Sequence, residues 1–392
     1  MKKLFRLPLY IALIAIPMLG FISCSDDDVE GTNEEKNQVL SAVVSQYVNN
    51  TVIGTYKSLA DETVSLYNAL VALKKNKTNA NVQLAADKWI ETRDYWELSE
   101  AFLFGPASDF GIDPHIDTWP LAKDELLIEL KNTDHIASMS GDDGDEWVAN
   151  YLGHGLLGFH GIEYILFEGG KAKDADKITE EQLIYAVAVA GDLRNQCFRL
   201  EASWAGIENV TAEKREKLKS LEVSTTVNGG KFSYGQDMLN AGKAGSTKTS
   251  MTDACEAIIE GCITIADEVG AMKIGQPHKG EDVNYIESPY SYNSKVDFEG
   301  NIISIRNAYL GGPANSTALL SEETPSVSLY IKQVDPSLDT KIRNAIDNAI
   351  TKIKAIPYPF AKNFASTEAG AAMDACNDLA DILGDAKKAL NK

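Results

Sequence analysis

At 392 residues, with 44% hydrophobic and 24% charged side chains, the chain is long enough for two ordinary domains with filled cores and too apolar to be disordered. Its formal net charge of −20 argues against nucleic acid as a partner, because phosphates would be repelled, and suits cations instead. It contains no Gly-x-Ser-x-Gly elbow, P-loop, dinucleotide fingerprint or His-Glu-x-x-His pair, so the common sequence-encoded hydrolase and nucleotide chemistries have no footing here.

Lys2, Lys3 and Arg6 precede an apolar run, 7–22, interrupted by Pro8 and Pro17, and this reads as a secretory signal covering residues 1–23. Phe21-Ile22-Ser23-Cys24 resembles a lipobox, which makes Cys24 the lipidated first residue of the mature chain. Ser25-Asp26-Asp27-Asp28 resembles the acidic export tag of Bacteroidetes surface lipoproteins. Together these predict an outer-membrane lipoprotein of the cell envelope, exposed at the surface, whose membrane partner is reached through the N-terminal lipid and an acidic tether, residues 24–34. Without Lys2, Lys3 and Arg6 the mature chain carries 34 basic against 57 acidic side chains.

Apolar residues recur at helical spacing over 35–75, with an irregularity expected around 49–54. A second helix is predicted over 81–104, stopped by Gly105-Pro106, then a loop over 107–116. Short helical pieces follow over 117–145. The Asp142-Asp143-Gly144-Asp145 turn lacks the spacing of a calcium loop. A central helix is expected over 145–168, closed by Gly169-Gly170, and a long one over 179–205. A short helix over 211–221 and a Gly/Lys/Ser-rich stretch lead to four more helices, at 252–274, 294–310, 336–356 and 366–390. Period-two alternation is absent apart from a short hairpin expected near 223–232. The pattern is all-α: two tandem domains resembling four-helix bundles, 35–222 and 249–392, joined by a connector, 223–248, with functional loops over 275–292 and 311–330 at their interface. Cys197, Cys255, Cys262 and Cys376 show no zinc spacing. Cys255 and Cys262 lie about 10.5 Å apart along a helix, so buried thiols are expected.

Two stretches carry polar groups into apolar surroundings. Trp89, Arg93, Trp96 and Glu100 are spaced 4, 3 and 4, one stripe of a helix whose indoles face inward. A buried Arg or Glu is costly unless paired, so the stripe predicts either an ion-pair network between helices or the wall of a polar pocket. The second stretch is Gly158-Phe159-His160-Gly161-Ile162-Glu163, where His160 and Glu163 share a helical face. They address a metal ion, a substrate, or each other. A metal there needs ligands from other segments, such as Glu100 or Asp117.

The same six residues match the Gly-x-His-x-x-Glu signature of imelysin-like proteins, and three further blocks resemble that family. Trp89 to Gly105 resembles its Trp…Arg…Glu-x-Phe-x-Phe-Gly block, and Asp117-Thr118-Trp119-Pro120 its Asp/Asn-x-Trp-Pro element. Glu287, then Ser291, Asn293 and Asp297, resemble its Glu…Ser-x-Asn-Thr-x-x-Asp block with Ser294 in place of Thr, and Arg306 and Tyr309 fit the end of that helix. The resemblance implies two helical bundles with these blocks meeting near their interface, and a role in bacterial iron uptake. It implies binding of iron, another divalent metal, or a small chelate in a cleft whose base is His160 and Glu163. Glu100, Asp117, Arg93, Trp96, Trp119, Glu287, Ser291, Asn293, Asp297, Arg306 and Tyr309 would line that cleft. An outer-membrane transporter is the implied protein partner. Two alternatives stay open: a metal-dependent peptidase, and a non-catalytic envelope protein whose His–Glu pair is purely structural.

Overall fold

Helical spacing of apolar residues winds most of the chain into helix in the computed structural model, which describes residues 29–312 and 323–391. The first helix, α1 (Val29–Gln46), passes through a π-helical turn, Tyr47–Val52, into α2 (Ile53–Lys75). The irregularity expected near 49–54 is this turn. It is tied down by Thr51, whose buried hydroxyl donates to the Gly312 carbonyl at 2.8 Å. Helix α3 (Asn79–Glu97) starts where the Thr78 side chain accepts from the Asn81 amide, and a single 3-10 turn, Glu100–Phe102, follows it. The long α5 (Glu180–Ala205) opens with a reciprocal cap between Thr179 and Gln182. Before it lies the short α4 (Gly158–Leu166), buried along nearly its whole length.

The rest of the chain adds α6 (Met251–Asp267), extended by a second π-helical stretch, Glu268–Ile274, then α7 (Ser294–Leu310), α8 (Pro336–Ala355) and α9 (Thr367–Ala389). Helices α3 and α5 both pack on α2, with α4 against α3 and α5, while α6, α7, α8 and α9 form a second set in which α6 and α8 each pack on α7 and α9. The sets meet where α7 crosses α3 and where α6 lies on Glu100–Phe102. That second approach depends on Gly261, because a Cβ there would sit 2.1 Å from the Ala101 carbonyl oxygen. From Asn37 onward the chain clusters as one compact unit. Cys197, Cys255, Cys262 and Cys376 are buried without a disulfide.

Three expectations need correction. The central helix over 145–168 is broken into Gly144–Tyr151, a 3-10 turn at His154–Leu156, and α4. The first break falls at the extended residues Leu152 and Gly153, and the last piece starts at Gly158, whose φ is +65° and where a Cβ would stand 1.8 Å from the Ile116 carbonyl oxygen, so the chain turns sharply where another backbone passes. The loop over 107–116 holds two short helices, Pro106–Asp109 and Ile112–Ile116. The hairpin near 223–232 carries no strand, only a 3-10 turn at Val227–Gly229. The strand pair among the described residues is Phe167–Glu168 with Lys171–Ala172, antiparallel around Gly169-Gly170. Cys24 and its lipobox lie outside the described residues.

Candidate functional site

The stripe on α3 enters the interior as its spacing dictates. Trp89 donates from its indole to the Phe159 carbonyl at 3.0 Å, fixing α3 against α4. Arg93, fully buried, spreads its guanidinium among carboxylates from both sets of helices. Nη1 donates to Asp117, Nη2 lies 2.7 Å from Glu287 and 2.6 Å from Glu97, and Nε is 3.9 Å from Asp297. Burial opposes the Arg93 charge, but Asp117, Glu97, Asp297 and Glu287 outweigh it and hold the group cationic. Asp117 takes a second donor, the Trp96 indole, at 2.7 Å. Despite burial, Arg93 and His160 hold its carboxyl well below the usual range.

His160 sits between two carboxylates. Nδ1 lies 3.2 Å from Glu163 Oε2, and Nε2 lies 3.2 Å from Asp117 Oδ1 but off the line a hydrogen bond needs. Burial disfavours its charge, yet the flanking Asp117 and Glu163 raise it to about 9, so the ring is an imidazolium at neutral pH. The other oxygen of Glu163 accepts three donors: the amides of Tyr290 and Ser291 at 2.9 and 2.8 Å, and the Ser291 hydroxyl at 2.8 Å. The loop that supplies them contains Ser288 at φ 49° and Tyr292 at φ 61°. Left-handed backbone at such residues costs about 1–3 kcal/mol each, so the loop is held by its contacts rather than relaxed. Asn293 helps by donating to Asp297 at 2.6 Å from the start of α7.

Two members of the cluster escaped the sequence reading. Glu97, one turn after Arg93, accepts from Asn301 on α7 and pairs with the guanidinium, and the four-residue spacing was the available signal. Lys273 emerges from the π-helical stretch after α6, is 1% exposed, and lies 3.1 Å from Glu287 and 3.9 Å from Glu100. No sequence pattern marks a lysine in a helix as inward-facing when the helix changes pitch beneath it. Burial pushes the carboxyls of Glu97 and Glu100 upward, and burial with Glu287 nearby raises Asp297 to about 6 despite Arg93.

The buried carboxylates here are Glu97, Glu100, Asp117, Glu163, Glu287 and Asp297, opposed by Arg93, Lys273 and the His160 imidazolium. Several ligand-type atoms have no hydrogen bond: His160 Nε2, Glu287 Oε2 and Asp297 Oδ2. Asp117, His160 and Glu287 offer ligand atoms within 4.8 Å of one another, as do Glu97, Glu100 and Asp117. Buried polar atoms without partners are rare in folded proteins, and a bound ion or water is one usual resolution.

Not every expected residue joins. His160 and Glu163 are buried rather than open to solvent, at 1% and 0% exposure. A groove of about 680 Å³ instead meets the cluster at Glu100 and runs past Asp113, Glu268 and Glu260 to Trp204. Trp119 is half-buried and packs on Tyr285 at 3.9 Å between ring centres. Tyr309 donates to Asp339 at 3.0 Å, beside Ser328 and Arg343, a network sharing no member with the His160 cluster. Arg306 lies half-buried one turn earlier on α7, nine residues after Asp297 and thus about 13.5 Å along the helix.

The sequence profile of the family described as Imelysin matches residues 52–385. Iron-regulated protein A of Synechococcus elongatus is 26% identical over 366 residues, which is 92% of this chain and 87% of that protein. Among solved structures, one named for an iron-regulated protein A precursor from Parabacteroides distasonis superposes with a TM-score of 0.75 at 29% identity, covering 90% of this chain and 95% of its own. An imelysin-like protein from Psychrobacter arcticum gives a TM-score of 0.58 at 13% identity over 90% and 93% of the two chains, a likeness of fold alone.

Proposed function

The chain belongs to the imelysin family, and from that premise we propose that it captures iron, as an ion or within a small chelate, for bacterial iron uptake. The observation that carries this reading is the convergence of Asp117, His160 and Glu287, from three separate segments, onto a space where their ligand atoms lie within 4.8 Å. The donor set of carboxylates with one imidazole suits iron and also admits other divalent metals. Binding there requires the His160 proton to leave, since a metal takes the neutral ring. In the same proposal the two sets of helices are two bundles, and the cargo enters along the acidic groove that reaches Glu100. Cys24, lipidated, would hold the protein on the envelope near an outer-membrane transporter. Among the described residues no helix is long and apolar enough to cross a membrane.

Anaerobic titration of ferrous iron into the purified protein tests the assignment. Wild type is expected to bind, with Glu287→Gln and Asp117→Asn weaker by at least tenfold. Equal binding by all three would remove the cluster from consideration. A metallopeptidase reading fits less well, because Glu163 has both oxygens engaged and none to spare for activating water.

A further inference from the structure

Two of the five histidines lie together outside this cluster. His115, near the end of the short helix Ile112–Ile116, places Nε2 2.7 Å from Asp192 Oδ2 on α5. The ring of His154, on the 3-10 turn before α4, stands 5.3 Å from the His115 ring at an interplanar angle of 62°. Asp192 is 1% exposed, and its second oxygen accepts from Gln196 at 3.1 Å, which fixes the carboxylate in place. His154 is exposed.

We propose that His115, His154 and Asp192 form a second, surface site for a divalent first-row transition-metal ion. Two histidines and one carboxylate with open positions are the donor set that such ions favour. The dimensions agree. With metal–nitrogen bonds of about 2.0–2.1 Å at tetrahedral angles, two imidazoles on one ion hold their ring centres about 5 Å apart, which is the separation found. Ligand atoms around one ion sit about 3.3 Å apart by the same geometry, so His115 needs only to draw back slightly from Asp192. Closing the set needs a turn of the exposed His154 ring, because the three residues' ligand atoms do not all lie within 4.8 Å at present. Gln196 plays the part of the outer partner that orients a ligating carboxylate.

The position gives the site a purpose. His115 is two residues before Asp117 and His154 six before His160, so the same two segments carry both the surface set and the buried cluster. An ion taken up at His115 and His154 is held at the outer ends of the segments that bear the inner ligands.

Cobalt(II) and zinc(II) titrations of the full protein decide the matter. Wild type is expected to bind one more equivalent of zinc than His154→Ala, and to show cobalt visible bands that His154→Ala loses. Asp117→Asn, which disables the buried cluster, is expected to keep both. His154 is exposed, so its replacement leaves folding intact, and circular dichroism confirms that. Unchanged zinc stoichiometry and cobalt spectrum in His154→Ala would overturn the proposal. So would loss of the same equivalent in Asp117→Asn, since the two sets would then be one.

Discussion

Gly158→Ala is the most searching single change in this chain, because the glycine sits where α4 turns past Ile116. A left-handed φ of +65° costs a non-glycine residue about 1–2 kcal/mol. The new Cβ would lie 1.8 Å from the Ile116 oxygen and 2.3 Å from its carbonyl carbon. Ordinary contact begins about 1.5 Å farther out, and forcing that much into packed surroundings costs about 1–3 kcal/mol more. The expected destabilisation is therefore about 2–5 kcal/mol, read as the shift in urea unfolding free energy. Ile116 precedes Asp117, so the displaced backbone also loosens Asp117 from Arg93, Trp96 and His160. Gly153→Ala is the control: its φ is −72° and a Cβ there meets nothing within 4 Å, so stability should change by less than about 1 kcal/mol. If Gly158→Ala were as mild as the control, the account of how α4 and Asp117 are held would be refuted.

Arg93→Met strands Asp117, Glu97 and Glu287 without their shared cation, and loss of one partner of a buried pair typically costs about 3–5 kcal/mol. A near-native urea midpoint for that variant would show that the network contributes little net stability. Stability should also fall as pH rises. The raised His160 value means that its contribution is complete below the ordinary histidine range, near pH 6.5, and is lost as pH climbs through about 9, a change of about 3 kcal/mol. Asp297, raised to about 6, acts with the same sign at lower pH, its contribution disappearing between about pH 4 and 6. Urea midpoints at pH 6 and pH 9.5 measure the histidine part, and His160→Asn should flatten it.

The site was legible wherever side-chain spacing decides the outcome. Trp89, Arg93 and Trp96 face inward because a 4–3 spacing on a regular helix leaves no other choice, and the His160–Glu163 pairing follows from a three-residue step. The reading failed where pitch or backbone crowding takes over. Lys273 enters the interior from a π-helical stretch, whereas Glu100 joins the cluster as its spacing suggests although it lies past the end of α3 on a 3-10 turn. The break of the central helix at Gly158 depends on Ile116, forty-two residues away, which no local pattern reveals. Tyr309, grouped with the site by its block, instead serves Asp339 because α7 is long enough to carry its two ends into different neighbourhoods.

The hydrogen bonds of Glu163 to Tyr290 and Ser291 also order events during synthesis. These partners are 127 and 128 residues further along the chain, and Glu287 is 194 residues beyond Arg93. A chain still growing at residue 270 can pair Arg93 with Glu97 and Asp117, but Glu163 then lacks the donors that its Oε1 oxygen meets in the finished fold. Contacts of such sequence separation form late, since each must first close a long loop. The charge cluster is thus among the last features to be completed, and truncation anywhere before residue 287 leaves its first half assembled around an acid with three of its four hydrogen bonds unmade.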